Sequence, residues 1–537
     1  MADSRTIGAE PAPQGRADHA IARLPVATAA FVGRALRGPV NQPLLVTSFP
    51  EFQQHFGGLW QPSTLSYAVE QFFENGGLRA YIVRVANGAR PPSVTLAAGS
   101  GVLRLGGRNP GSREYLRASV DYDGIADNEP DLFNLVVQRV RSAGSELVQA
   151  QEIFRRVSIA RASPRWVTSV LAESKLARVI GETPSQRPDR SSGGAAGSPI
   201  GYAHCNPDGD DGGPITDYDV IGSASEHTGL FALSAAEDFN FLCVPPLARE
   251  QDVGWSTLLV AARFCRERHA MLMVDPPMSW VSPRTALEAL RSWPFRSDNA
   301  VMYYPRVQAF DRLRGRVETF ASCGAAAGMI ARSDEIWPVW AAAETEDAIL
   351  RPGLRPAVPV SDAERARLMQ AGINVLASVR SSYRTGVSPR TLAGGGGGLS
   401  DWRYLSARRL ALFVASSVER GTRWTLLEPN TPRTWDRVRS QVEVFLGSLA
   451  QGGAFTGTTC EDRYFVICDE RVNRAETVAA GKLNLLYGFA TSKPGEFDTW
   501  LLTHRAGESR VRPVSVNRLA TSRERVGWEI ETSILRG

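Results

Sequence analysis

The sequence predicts a multidomain α/β (α+β) protein, and three features carry that expectation. Residues 229–304 alternate short, wholly apolar runs with amphipathic stretches, the pattern of a mainly parallel sheet covered by helices. The same alternation fills 29–85. Between these blocks, over 94–137, the chain becomes strand-like, with Gly-rich turns in place of helices.

Residues 29–33 form an apolar strand running into Gly-Arg, and 44–47 form a second strand. Phe52 and Phe56, at i,i+4 spacing, predict a helical turn over 50–56. Over 64–75 Leu65, Ala68, Val69, Phe72 and Phe73 share one helical face, with Ser63 or Thr64 as N-cap and Gly76-Gly77 as the stop. A strand at 80–85 closes this unit, which holds no catalytic constellation, so function is sought in surfaces. After 94–137, residues 155–180 supply a strand and a helix (164–171), followed by Pro/Ser/Gly loops at 184–199 and 206–214. The α/β pattern then resumes. It has a strand at 239–244, a helix at 255–267, a strand at 270–274 ending at Asp275-Pro276-Pro277, a helix at 283–291 and a strand at 300–304. Gly394–Gly398 is a run of five glycines, read as a flexible junction. Beyond it, Trp435, Val438, Val442, Phe445 and Leu449 give a helix over 431–450 its apolar stripe.

The chain has 537 residues, of which 43% are apolar, enough for several cored domains. Its 61 basic and 56 acidic residues are interspersed, with no polybasic block, so the net charge of +5 reads as a solvated surface rather than a nucleic-acid footprint. The six cysteines (Cys205, Cys243, Cys265, Cys323, Cys460, Cys468) contain no C-x-x-C pair and read as reduced thiols. No apolar signal core or run of about 18 apolar residues is present, so neither export nor direct membrane insertion is expected.

Three stretches carry a resemblance: Phe31–Pro39 (FVGRALRGP), Phe52–Gly58 (FQQHFGG) and Phe72–Val85 (FFENGGLRAYIVRV). They resemble the hallmarks of contractile phage-tail sheath proteins and the sheaths of related contractile injection systems. The similarity continues in NAVMYYPRVQAFDRLRGR, in 359–376, and in 402–469 with its WRYLSARRL, EPN and helix-borne Trp-Asp-Arg-Val-Arg elements, covering about 25–502 in the family's order.

The resemblance implies an N-terminal arm (1–24), a middle sheath domain (25–90 with 222–385), an inserted β-rich outer domain (91–221), a linker (386–400), a tube-facing C-terminal domain (401–502) and an extension (503–537). It also implies a subunit made in the bacterial cytoplasm as part of a phage tail or phage-tail-like particle. Such a subunit stacks with copies of itself in probable six-fold rings around an inner tube, between baseplate and terminal cap proteins, and contracts. Nucleic acid is not an expected partner, no cofactor is expected, and the chain is not expected to be an enzyme. Since the C-terminal domain of the family lines the sheath, Arg433, Arg437 and Arg439 are candidates for tube contact, a merely solvated face being the alternative. Residues 1–24 lack the family's usual arm strand. The tail, with possible strands at 510–516 and 526–535, is therefore a candidate inter-subunit arm through Val511, Val514, Val516, Val526, Trp528 and Ile530, or else folds back on its own domain.

Chemical sites are weakly signalled. Asn206, Asp208 and Asp210 space oxygen ligands as a calcium loop does, but Asp211 replaces the turn glycine and no glutamate closes the loop, so no metal is expected. His19, His55, His204, His227, His269 and His504 are scattered, and only Cys265 and His269 have helical pair spacing, too few for a metal site. No Walker loop, G-x-S-x-G or G-x-G-x-x-G motif occurs. The alternative function is an α/β enzyme with Asp275 as a strand-end acid.

Overall fold

The computed structural model describes residues 20–191, 201–341, 349–376, 388–393 and 401–514. They form two compact units, one spanning 25–406 and the other joining the segment before residue 25 to the chain from 407 onward.

The first unit is built on a seven-stranded sheet. Its strands are β1 (Thr28–Gly33), β2 (Leu44–Val46), β3 (Arg79–Arg84), β11 (Phe241–Cys243), β12 (Met271–Val274), β13 (Ala300–Tyr304) and β17 (Asn374–Val375), in the order β17-β13-β12-β11-β1-β3-β2. Every pairing is parallel except that of β2 with β3 at one edge. The central strands are buried on both faces, hence their unbroken apolar sequences. One face packs against α5 (Trp255–Glu267) and α6 (Pro283–Arg291), where Leu242, Val244, Leu272 and Val274 share a core with Leu258, Ala261, Phe264 and Leu290.

The other face is covered by α2 (Thr64–Glu74) and α7 (Cys323–Asp334). These two helices touch backbone to backbone. A Cβ placed on Gly324 would lie 2.0 Å from the Ala68 carbonyl oxygen, and one on Gly328 2.3 Å from that of Phe72. Ser63 caps α2 by accepting the Ser66 amide at 3.0 Å. The helix α1 (Phe49–Phe56) stacks Phe52 on Phe56 with ring centroids 5.4 Å apart.

The β-rich segment leaves this unit after β3 and returns at Gly213, where the bridges Asn87–Gly213 and Arg90–Asp210 make a neck. It holds two sheets. One is β4 (Ser93–Ala98), β5 (Gly101–Gly107) and β9 (Ala177–Ile180); the other is β6 (Tyr115–Asp121), β7 (Leu132–Val140), β8 (Val148–Ser158) and β10 (Ala203–His204). With α3 (Val167–Ala172) they enclose a separate core of Leu103, Leu105, Leu116, Phe133, Leu135 and Leu171. The expected end of the insertion at 221 is corrected to about 213. Ile215 and Val220, the latter on α4 (Asp217–Ile221), belong to the α/β core because their apolar side chains are buried there.

The stretch after β13 forms a separate small sheet of β14 (Val307–Asp311), β15 (Arg316–Phe320) and β16 (Arg355–Pro356). It precedes α8 (Asp362–Gln370), whose capping box pairs Ser361 with Glu364.

The second unit packs α9 (Leu405–Gly421) and α10 (Pro432–Gln451) with an antiparallel meander. Its strands are β18 (Tyr464–Ile467), β19 (Lys482–Phe489), β20 (Asp498–Arg505) and β21 (Glu508–Pro513). The α10 stripe of Trp435, Val438, Val442, Phe445 and Leu449 is buried as the periodicity predicts. Gly421 admits the N-terminal segment closely, since a Cβ there would meet Ile21 at 2.7 Å. The expected domain end at 502 falls inside β20, and the sheet runs on through β21, so that boundary is corrected to 513 or beyond. Gly394–Gly398 and residues 1–19 lie outside the described residues.

The contact between α2 and α7 makes a stability prediction. Gly324→Ala forces a methyl group into the Ala68 carbonyl and should cost about 3 kcal/mol or more, read as a fall in the denaturation midpoint or loss of folded protein. Gly213→Ala, at a site whose nearest neighbour would be 3.7 Å away, should change it by only a few tenths, about 0.5 kcal/mol at most.

Candidate assembly surfaces

The outward side of α10 divides the three predicted arginines. Arg433 and Arg437, one turn apart, are both exposed. Arg437 lies 4.5 Å from the Trp424 ring centroid and 3.8 Å from the Glu428 carboxylate. Arg439, turned about 200° from Arg437, donates to Asp436 at 2.7 Å and is half-buried. Val444 continues the Arg433–Arg437 side and is 72% exposed. The exposed strip is thus basic at one end and apolar at the other.

The start of the tail is a hairpin within the chain. Val511 pairs with Leu502, the Val514 amide donates to the Thr499 carbonyl at 2.9 Å, and Val514 packs on Phe465, Ile467, Leu486 and Leu501. Val511 and Val514 therefore fill their own sheet rather than a neighbour's, a correction for these two. Val516, Val526, Trp528 and Ile530 lie outside the described residues.

A buried histidine, which its scattered position in the sequence did not single out, ties this hairpin to α9. Thr422 Oγ1 donates to the Val418 carbonyl at 2.7 Å and so accepts from His504 Nε2 at 2.8 Å, leaving Nδ1 to accept from Ser509 Oγ at 2.8 Å. Burial, with Arg423 nearby, depresses the His504 pKa to about 4. The imidazole is neutral near pH 7.

The alternative chemical centre becomes structural. Asp275 accepts the Ser322 and Cys323 amides at 2.7 Å each, capping the N-terminus of α7. Burial raises its pKa. The loop expected to resemble a calcium site spends its carboxylates on the neck. Asp208 accepts the Ser93 amide at 2.8 Å, and Asp211 accepts the amide and hydroxyl of Ser112 at 2.8 and 2.7 Å. Among the described residues no cluster of three metal-ligating side chains occurs, and no helix is long and apolar enough to cross a membrane. All six thiols are free. Burial pushes those of Cys265 and Cys323 far up and that of Cys468 to about 12, so these three are inert.

Comparison with known proteins bears on the family and the fold. Residues 399–499 match the family described as the phage tail sheath C-terminal domain. A sheath tail protein from Listeria innocua shares the fold with a TM-score of 0.57 at 13% identity, over 92% of this chain and 98% of that one. The sheath complex of the extracellular contractile injection system PVC, in its contracted state, gives 0.51 at 16% identity over 93% and 97%. A chain of the anti-feeding prophage baseplate in its contracted state gives 0.51 at 18% identity over 91% and 96%. No curated protein matches. Residues 399–499 are thus similar to the phage tail sheath C-terminal domain, and the chain shares its fold with solved sheath proteins.

His504 makes a pH prediction. Its folded pKa of about 4 lies below the ordinary value of 6.5, so the unfolded chain takes up the proton first. The stabilisation is complete above about pH 6.5 and is lost as pH falls towards 4, by at most about 3 kcal/mol. His504→Asn should flatten this part of the stability profile in chemical denaturation at pH 7, 5.5 and 4.5, and an unchanged slope would contradict the assignment.

Proposed function

We propose that the chain is a structural sheath subunit that polymerises helically around an inner tube and contracts to drive that tube through a target envelope. The observation that carries this reading is the sheath C-terminal domain at 399–499 set in a chain whose fold matches sheath proteins over more than nine-tenths of its length. The subunit is made in the bacterial cytoplasm and meets copies of itself, a tube, a baseplate and a terminal cap. It works without catalysis or a cofactor, the energy of contraction being stored in a bistable assembly. The enzyme alternative gains no support from Asp275, whose carboxylate is committed to a helix terminus.

Within this reading the Arg433–Arg437 side of α10 faces the tube, and the chain beyond Val514 is the linking arm, adding a strand to a neighbour's sheet. Val516, Val526, Trp528 and Ile530 are its anchors. Purified full-length protein should form long tubes visible by electron microscopy, and a closed oligomer under all conditions would overturn the function.

Charge reversal at Arg433 and Arg437 should weaken assembly on the tube most at low salt while leaving the fold intact, because exposed charges steer contacts more than they stabilise cores. The same change at Arg439, already paired with Asp436, should do less. Equal co-sedimentation of all variants with the tube protein would remove the assignment. Truncation after Val514 spares β20 and β21 and should give a folded chain that no longer polymerises; full-length sheaths from it would refute the arm.

A further inference from the structure

Two surfaces of the α/β unit are left open by its own folding, one at the tip of a hairpin and one at the C-terminal ends of two strands of the seven-stranded sheet. The first is the tip of the β14–β15 hairpin, on the α2 side. Its base is anchored, with Tyr67 of α2 stacked on Phe320 at 4.9 Å and Asp311 bound by Arg249 at 2.5 Å. Its tip is apolar and in water: Phe310 and Val317 sit opposite each other across the strands, 61% and 50% exposed, with Leu313 exposed at the turn. Arg312, Arg314 and Arg316 surround them. Arg312 lies 3.8 Å from Glu70 and 3.6 Å from Glu74, while Glu318 lies 3.3 Å from Arg314 and 2.6 Å from Arg316.

The second surface is a cavity of about 230 Å³ on the α5 side, at the C-terminal ends of β11 and β12, lined by Val253, Trp255, Leu258, Val274, Pro277 and Trp293. Trp293 meets Trp255 edge to face at 4.5 Å and Trp280 at 4.9 Å. Its buried Nε1 has no hydrogen-bond partner among the described residues, an uncommon state for a buried indole. Tyr218, Leu259 and Val281 are exposed nearby at 87%, 59% and 68%. The acidic groups of this side include Asp252 and Asp275, which line the cavity, the former binding Arg306, and Asp217, which accepts the Gly254 amide at 2.8 Å, with Asp219 two residues on in α4.

We propose that these surfaces are the two halves of one contact between copies of this chain, the Phe310 tip of one seating in the Trp255–Trp293 cavity of the next. It rests on the sheath reading for its partner. Size agrees, since a dry cavity of about 150 Å³ already admits a benzene ring. Charge is compatible, since Arg312 and Arg316 stay 70% and 68% exposed beside their glutamate partners and Asp252 stays 36% exposed beside Arg306. The unpaired indole N–H gains an acceptor from a carbonyl of the incoming hairpin turn. Because the halves differ, each copy offers one of each, and the contact propagates as a ring or helix rather than closing as a two-fold dimer.

The test uses the full chain with exposed Cys460→Ser as background. Phe310→Cys protein mixed with Leu259→Cys protein should form a disulfide-linked pair under mild oxidant, whereas Phe310→Cys mixed with Val102→Cys, an exposed position on the inserted domain, should not. Phe310→Asp, confirmed folded by circular dichroism, should raise by about tenfold or more the concentration needed for self-association. Tubes from wild type and from Phe310→Asp alike, with no selective cross-link, would overturn this contact and leave the sheath reading standing. A selective cross-link between the cysteine variants, with a wild-type chain that never forms tubes, would keep the contact and overturn the sheath reading.

Discussion

The contact of α2 with α7 is the constraint on which most of the α/β unit depends. Two helices far apart in sequence approach until Gly324 and Gly328 touch the carbonyls of Ala68 and Phe72, a spacing that no side chain permits. Both ends of the pair are then pinned. At one end Asp275, at the tip of β12, caps α7. At the other Arg332 donates to the Asn75 carbonyl at 2.9 Å, beneath Gly76, whose φ of +104° turns the chain into β3. Since β15 runs directly into α7, the same pinning fixes where the β14–β15 hairpin stands.

Elsewhere buried charge is used to fasten one element to another. Arg84, 1% exposed, donates to the carbonyls of Gly38 and Pro110 at 2.7 Å each, binding β3 to the segment ahead of α1 and to the insertion, and burial lowers its pKa to about 10. Arg34 reaches the Gly212 carbonyl at 2.7 Å, Asp211 the Ser112 amide, and His504 joins β20 to α9 and β21. Each such group is satisfied largely by main-chain atoms or hydroxyls, so removing one leaves a buried polar partner unpaired. Groups committed in this way are poor candidates for catalysis.

Much of this was legible in sequence. The i,i+4 phenylalanines of α1, the capped apolar face of α2 and the stripe of α10 are local patterns that burial then enforces. What escaped notice depends on distant pairing. The separate sheet of β14, β15 and β16 gets its third strand from residue 355, and the sequence from 305 to 320 alternates too irregularly to declare a hairpin. Residues 215–221 read as part of the insertion because the loop before them is Gly- and Asp-rich, whereas the neck closes at Gly213. The tail read as a free strand because its partner, β20, had been cut at 502; once β20 runs to Arg505, a two-residue turn at Ala506-Gly507 returns β21 antiparallel. The three arginines of α10 looked like one face, but 437 and 439 point different ways.

An apolar hairpin tip and an aromatic cavity each cost stability in an isolated chain, the tip through hydration of Phe310 and Val317 and the cavity through lost contacts around Trp293. The tip is not needed to close the core, β14 and β15 being held at their base by Tyr67, Phe320 and Arg249, and the cavity is a gap against the core side chains of Val244, Leu258, Leu272 and Val274. Features that folding does not require, and that hydration penalises, point to an assembled state in which both are covered. A self-matching patch would cover them only in pairs and would end growth at two copies. Unlike halves leave one half unsatisfied after every addition, so a contact of this kind extends rather than closes.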